Sequence, residues 1–247
     1  MSTIKVENQE GVTIVRLDNG VANAIGPRVL DDLAAAIDAI EGDSGALVLA
    51  GNSKFFSMGF DLPNLLSLNR AAMSDFFYKF NRIACKLLAM PLPTVCAMAG
   101  HAVAGGHILT LTCDYRFAEA GKKIGLNEVK LGVPVPYLAD LMLRQLAGDR
   151  VAKAMVYEGG FMTAADARQH GLIDEIHPQG SAETQAIKKA AELAALPLKA
   201  LAAIKANRIE PILLQYEKSA RQKNDLFLDC WFSDQTQKLL KEAALKF

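Results

Sequence analysis

The chain is poor in the residues that mark the commoner kinds of site. Its 247 residues include four cysteines, Cys85, Cys96, Cys113 and Cys230, with no Cys-x-x-Cys pair. Scattered thiols of this kind read as buried and reduced, which fits a cytoplasmic protein. The four histidines, His101, His107, His170 and His177, stand at no zinc-site spacing, and two glycines separate the first two, so no metal is expected. There is no G-x-G-x-x-G, no Walker sequence and no G-x-S-x-G elbow, Ser57 having Phe55 where the elbow needs glycine. Basic and acidic residues balance at 27 each, and a formal net charge of zero argues against a nucleic-acid or membrane-surface binder. A few local cations would still suffice for an anionic ligand. No run approaches the ~18 apolar residues of a membrane span, and the first residues lack the basic-then-apolar pattern of a secretory leader.

What is present is a soluble, globular composition, 51% hydrophobic and 22% charged, long enough for one well-buried core. Ile4 to Val6 and Val12 to Leu17 flank Gln9-Glu-Gly11 and predict an opening β-hairpin. Pro27 predicts a helix start, and Val29, Leu30, Leu33, Ala34, Ile37 and Ile40 recur at helical spacing up to a stop at Gly42. The apolar run Ala46 to Ala50 predicts a buried strand. A long helix is expected over about Ala71 to Met90, stopped by Pro91 and Pro93, with Thr94 to Ala99 as the next strand. Strand and helix alternate over the first ~180 residues, which predicts α/β architecture. After Pro178 the pattern is helical without a strand, in runs 182–196, 198–209, 212–228 and from Asp234 onward, punctuated by Pro197 and Pro211. Leu213, Leu214, Phe227, Leu228, Trp231 and Phe232 in this tail need a surface to pack on, in the core or in a neighbouring subunit.

Three segments offer chemistry, each with an ordinary reading beside it. Phe55-Phe-Ser-Met-Gly-Phe-Asp-Leu62 follows a strand, and Gly59 accepts a positive φ that would aim the Phe60 N–H into a cleft; an ordinary turn with Asp61 capping the next helix explains it equally. Gly105-Gly106 opens a helix whose free N–H groups suit a negative charge, or is a tight packing turn. Glu128 stands beside Asn127 and the apolar pair Val129 and Leu131. It is either a desolvated carboxyl suited to moving a proton or a solvated side chain. His107 is a second candidate base or a satisfied structural histidine.

In order and spacing these segments resemble the crotonase superfamily, the enoyl-CoA hydratase/isomerase family, along nearly the whole chain. The resemblance is carried by Asn23-Ala24, Phe56-Ser-Met-Gly-Phe-Asp-Leu62, Ala99-Gly-His-Ala-Val-Ala-Gly-Gly106, Cys113-Asp-Tyr-Arg116, Gly125-Leu-Asn-Glu-Val-Lys-Leu-Gly132 and Thr163-Ala-Ala-Asp-Ala-Arg-Gln-His-Gly-Leu-Ile173. It implies a spiral of ββα units over residues 1–180, carrying a CoA-thioester site, and a helical region over 181–247 that builds trimers or dimers of trimers. It implies an acyl-CoA thioester as substrate, with coenzyme A entering only as part of it and no prosthetic group. The N–H groups of Phe60 and Gly105 are the implied oxyanion donors. Ala24, Met58, Gly59, Asp61, Leu62 and Asn127 are the implied contacts of the CoA thioester.

Hydratases of the family use two glutamates, one two residues after the glycine pair and one at the position of Glu128. Here the first position is Ile108, which cannot hold water. The string Ile124-Gly-Leu-Asn-Glu128 is most similar to the mitochondrial-type Δ3,Δ2-enoyl-CoA isomerases, and Ser233-Asp-Gln-Thr-Gln-Lys-Leu-Leu240 is a further similarity. The implied reaction is migration of a 3-enoyl double bond to the 2-position, with Glu128 carrying one proton from C2 to C4. A divergent hydratase, an acyl-CoA hydrolase and a non-catalytic thioester-binding subunit stand as alternatives. Pro136 falls where dehalogenase relatives place a nucleophilic aspartate, which argues against that reaction. Ala104 stands where the commonest turns of the family have glycine or proline. Phe60, Phe76, Phe77 and Tyr137 are candidates for shaping the acyl pocket.

Overall fold

The computed structural model describes residues 2–40 and 44–245, so the expected helix stop at Gly42 lies outside the described residues. Strands β1 (Ile4–Gln9) and β2 (Val12–Leu17) form the opening hairpin, with Ile4 opposite Leu17. Its turn places Glu10 and Gly11 at φ +53° and +76°, which glycine accepts most readily. Helix α1 (Pro27–Ile40) begins at the expected proline and buries Val29, Leu30, Leu33, Ile37 and Ile40.

The chain then repeats one pattern. A long strand of the first sheet is followed by a three-residue strand of a second sheet, and then by helix. Strands β3 (Ala46–Ala50) and β4 (Phe55–Ser57) lead to α2 (Leu62–Leu65) and α3 (Arg70–Ala89). Strands β5 (Thr94–Met98) and β6 (His101–Val103) lead to α4 (Gly105–Leu111). Strands β7 (Tyr115–Glu119) and β8 (Lys123–Gly125) lead to a 3₁₀ turn (Glu128–Leu131) and α5 (Tyr137–Glu158). After β9 (Phe161–Thr163), α6 (Ala164–Gln169) and β10 (Glu175–His177), the first sheet has the order β1-β2-β3-β5-β7-β10 and the second β4-β6-β8-β9. All pairings are parallel except β1 with β2 and β8 with β9. The sequence contains no visible sign of β6, β8 or β9, because three residues are too few to show an alternation.

The central strands are buried on both faces, as their unbroken apolar runs require. Leu47 and Leu49 of β3 face the core made with α1 and α3, whereas Val48 faces Ala186, Ile187 and Ala190 of α7 (Ala182–Ala194). Helix α8 (Leu198–Trp231) runs through Pro211 without the expected break. An interior proline costs a helix about 3 kcal/mol. Here Ile209, Ile212 and Leu213 around it pack on the core, and Tyr216, Phe227, Leu228 and Trp231 beyond it are buried, so stopping at Pro211 would expose more than the proline costs. The α8 end nearer α7 is fastened by buried Lys205. Its Nζ donates to the Leu92 carbonyl (3.1 Å), Thr94 Oγ1 (3.3 Å) and Asp114 Oδ2 (2.8 Å). Arg116 of the same Cys-Asp-Tyr-Arg string donates to the Cys113 carbonyl (2.7 Å) and pairs with Asp174 (2.9 Å), so this string secures the sheet.

The last helix, α9 (Asp234–Ala244), is capped by Ser233, whose Oγ accepts from the Thr236 N–H. It folds back on α2 and on the 3₁₀ turn. Thr236 Oγ1 donates to the Gly132 carbonyl at 2.9 Å, and a Cβ at Gly132 would lie 2.4 Å from that same hydroxyl. Among the described residues no helix is long and apolar enough to cross a membrane.

Candidate active site

The turn after β4 is shaped by its ties to residues 22–25. The Met58 N–H donates to the Ala22 carbonyl (2.9 Å), the Ile25 N–H to Gly59 (2.7 Å) and the Asp61 N–H to Ile25 (3.0 Å). These last two bonds form a parallel bridge between Ile25 and Phe60. Such a bridge uses the peptide groups flanking Phe60 and turns the Phe60 N–H to the other side. That N–H has no acceptor among the described residues. Asn23, held at φ +46° and fully buried, donates through Nδ2 to the Phe55 and Phe56 carbonyls (3.2 Å each). Ser57 Oγ donates to the Asn23 carbonyl (2.7 Å) and accepts from Gly59 N–H (3.0 Å).

Helix α4 begins directly against this turn. A Cβ on Gly59, which has φ +90°, would lie 3.0 Å from Ala104 Cβ, Gly105 N and the Val103 carbonyl oxygen. A Cβ on Gly106 would come within 2.4 Å of the Ser57 carbonyl oxygen, so only glycine lets the helix sit this close to β4. Ala104 takes φ +47°, ψ −123°, a region that glycine occupies without strain, and its N–H is anchored on the Gly125 carbonyl (2.8 Å). Gly105, the first helical residue, has an N–H without an acceptor among the described residues, as expected at a helix start. Two unused N–H donors thus lie on abutting turns.

Glu128 enters from the 3₁₀ turn after β8. It is 6% exposed, and its Oε2 has no hydrogen-bond partner. Burial pushes its carboxyl up to about 8, opposed only by a hydrogen bond to its own backbone. The sequence neighbours do not all supply this apolar setting. Val129 is 45% exposed and turned outward, while Leu131 lines the cavity that Glu128 faces. The remaining walls come from distant parts of the chain.

That cavity, of ≈ 450 Å³, brings together Met58, Phe60, Leu62, Gly105, Asn127 and Glu128 of the residues expected from sequence, and adds Ile108. Ala24, Gly59 and Asp61 do not line it. Ala24 stands behind the turn with its carbonyl held by Asn19 Nδ2 (2.7 Å), and Asp61 caps α2 through Asn64 N–H (3.3 Å). Asn127 Oδ1 is buried without a partner. Phe76 and Phe77 stand behind the Phe60 ring, and Tyr137 lines a different groove. Besides Phe60, the aromatic lining is Phe161 of β9 with Phe227 and Trp231 of α8, and Leu239, Leu240 and Ala243 of α9 line the cavity too. The apolar tail signalled that Phe227 and Trp231 need a surface to pack on; nothing in it showed which. Glu242 of α9 and Lys130 lie on the exposed rim.

His107 does not line the cavity. Thr110 Oγ1 donates to the His107 carbonyl (2.7 Å) and lies 2.8 Å from Nδ1, which fits a proton on Nδ1. Burial, with the Arg116 charge adding to it, pushes the ring down to about 3, so it is neutral at physiological pH. Among the described residues no three His, Cys, Asp or Glu side chains group as a metal site would need.

A family model described as enoyl-CoA hydratase/isomerase matches residues 7–244. A Mycobacterium bovis protein named "Probable enoyl-CoA hydratase" is 31% identical over 189 residues, which cover 74% of this chain and 72% of its own. Human mitochondrial enoyl-CoA delta isomerase 1 is 27% identical over 192 residues, covering 76% of this chain and 64% of its own. A crystal structure of human mitochondrial Δ3-Δ2-enoyl-CoA isomerase matches with a TM-score of 0.93 over 99% of this chain and 97% of that one, at 24% identity, a likeness of fold.

Proposed function

The chain belongs to the enoyl-CoA hydratase/isomerase family and has the crotonase fold, and from that premise we propose that it moves the double bond of a 3-enoyl-CoA thioester to the 2-position. The observation that carries this reading is the pairing of Glu128 with Ile108: one buried carboxyl raised to about 8, and a hydrocarbon side chain where a second carboxylate would hold water.

In the proposed reaction the ionised Glu128 takes a proton from C2, and the electron pair moves toward the thioester oxygen. The Phe60 and Gly105 N–H groups stabilise that oxygen, each such donor typically contributing ~10²–10³-fold. The dienolate then takes the same proton at C4, which leaves a 2,3 double bond and an ionised carboxylate. A carboxyl poised near neutrality is suited to both transfers. Met58 and Leu62, with Gly59 and Asp61 in their turn and Ala24 behind it, carry the pantetheine arm in this reading, and Asn127 contacts the thioester end. The exposed apolar Ile204, Leu214 and Leu226 of α8 support a trimer, or a dimer of trimers, as the assembled form.

A hydratase reading has one observation in its favour, the second carboxylate of Glu242 on the same cavity. Glu242 sits on the exposed rim, whereas the position near the reacting carbons is Ile108. A panel of 3-enoyl, 2-enoyl and saturated CoA esters followed by NMR in deuterated water tests the choice. Isomerisation without 3-hydroxyacyl product is expected, with deuterium entering C4 only to the extent that the proton held on Glu128 exchanges with solvent before delivery. Net water addition would favour the hydratase.

A further inference from the structure

We propose that Trp231, backed by Phe227, is the floor of the acyl subsite and restricts the enzyme to short- and medium-length, apolar acyl chains. This rests on the thioester reading above and adds the class of acyl group.

The lining of the cavity divides by exposure: Lys130, Phe161 and Glu242 are exposed, whereas Ile108, Phe227, Trp231 and Leu240 are buried. Glu128 lines this cavity together with Phe60 and Gly105, which carry the two free N–H groups. A large polar thiol portion reaches them only from the exposed side. Carbons beyond C4 therefore run toward Trp231, which is 1% exposed.

That floor is rigid. Phe227 stacks on Phe77 of α3 with centroids 3.8 Å apart and planes 8° apart, and on Trp231 at 6.0 Å. Phe77 meets Phe60 edge-on at 6.5 Å, and Phe60 is further gripped edge-on by Phe76 (5.1 Å) and Phe80 (4.9 Å). One continuous set of rings thus joins the floor to the residue whose N–H is a candidate oxyanion donor. Swinging Trp231 aside for a longer chain would disturb the stack that positions Phe60. The ≈ 450 Å³ must also hold the thioester itself, so the tail has only part of it. An overlong chain meets a wall, and in a tight apolar pocket one methylene is worth about tenfold or more in discrimination.

The test uses the full-length chain and saturated acyl-CoA esters from four to sixteen carbons, titrated by calorimetry, alongside kcat/KM for the matching 3-enoyl series. Affinity is expected to rise with length and then fall by about tenfold or more beyond a cut-off. In Trp231→Leu the cut-off moves to longer chains. Trp231→Phe, a smaller change whose melting temperature reports folding, moves it in the same direction by less. Affinity still rising at sixteen carbons, or one unchanged cut-off in both folded variants, overturns the proposal. A cut-off in binding without double-bond migration would defeat the isomerase reading and leave the floor standing; migration with no cut-off would do the reverse.

Discussion

Ile108 and Glu128 reach one cavity from different elements, the first from α4 and the second from the 3₁₀ turn after β8, and both are almost fully buried. The group that can move a proton therefore shares its cavity with a hydrocarbon side chain at Ile108, the position where the hydratase reading would need a second carboxylate. Replacing Glu128 by Gln keeps the shape and removes the base. Turnover of a 3-enoyl-CoA should fall ~10²–10⁴-fold with the circular dichroism spectrum unchanged. Activity within a fewfold of wild type would remove Glu128 from the mechanism.

The free enzyme must ionise Glu128 before it can take a proton. With that carboxyl pushed up to about 8, kcat/KM should rise with pH through that region and level off above it. His107, held down to about 3, contributes no limb, so His107→Gln should retain the same midpoint. A midpoint that moves in His107→Gln would assign the limb to the histidine.

The same shift makes stability depend on pH. Folded Glu128 holds its proton up to about 8, whereas an unfolded glutamate releases it near 4.5. Between those values the folded state binds more protons, so the wild type loses stability as pH rises through the window. Denaturant melts of Glu128→Gln and wild type should nearly coincide at the acid end and diverge on the order of a few kcal/mol in favour of the variant by pH ~9. Parallel stability curves across the window would show that the carboxyl is not desolvated.

Ile108→Glu restores the second carboxylate that a hydratase would have. Isomerisation should drop, and 3-hydroxyacyl-CoA should become detectable from a 2-enoyl substrate. Because the new charge is placed at a buried position, a loss of a few kcal/mol in stability is also expected. A folded variant that never adds water would show that Ile108 is not what keeps water out.

Ala104 and Gly106 make opposite predictions only two residues apart. Ala104 carries a positive φ with a Cβ, so Ala104→Gly relieves a strain of ~1–3 kcal/mol and returns part of it through the freer unfolded chain. The melting temperature should rise by about 2–4 °C. Gly106→Ala drives a Cβ to within 2.4 Å of the Ser57 backbone and should lower both stability and activity. A thermal scan of the two variants checks both signs.

How much of this was readable beforehand depends on how local the signal is. The hairpin, α1, α3 and the buried β3 and β5 follow from periodicity and from Pro27, Gly11 and Pro91. Strands β6, β8 and β9 are three residues long and carry no period. Pro211 predicted a break because local geometry disfavours it; burial of Tyr216, Phe227 and Trp231 beyond it prevails. Phe60, Gly105 and Glu128 were placed by resemblance, and one cavity does contain all three. Its far walls were not legible, because Trp231 and Leu240 lie more than a hundred residues along the chain from Glu128. Val129, adjacent to Glu128 in sequence, points away from it. Burial of a side chain is a property of what arrives over it.

The fold-back of α9 has a consequence for when the protein becomes competent. The cavity joins Phe60 to Leu239, Leu240 and Ala243, and Thr236 clips the helix to the turn carrying Glu128. During synthesis the sheets and the turn at Phe60 can assemble early, yet the pocket stays open on one side until residues 239–243 have cleared the ribosome. Until α9 docks the pocket therefore lacks one of its walls, and any fusion that pulls on that helix pulls on the wall of the pocket.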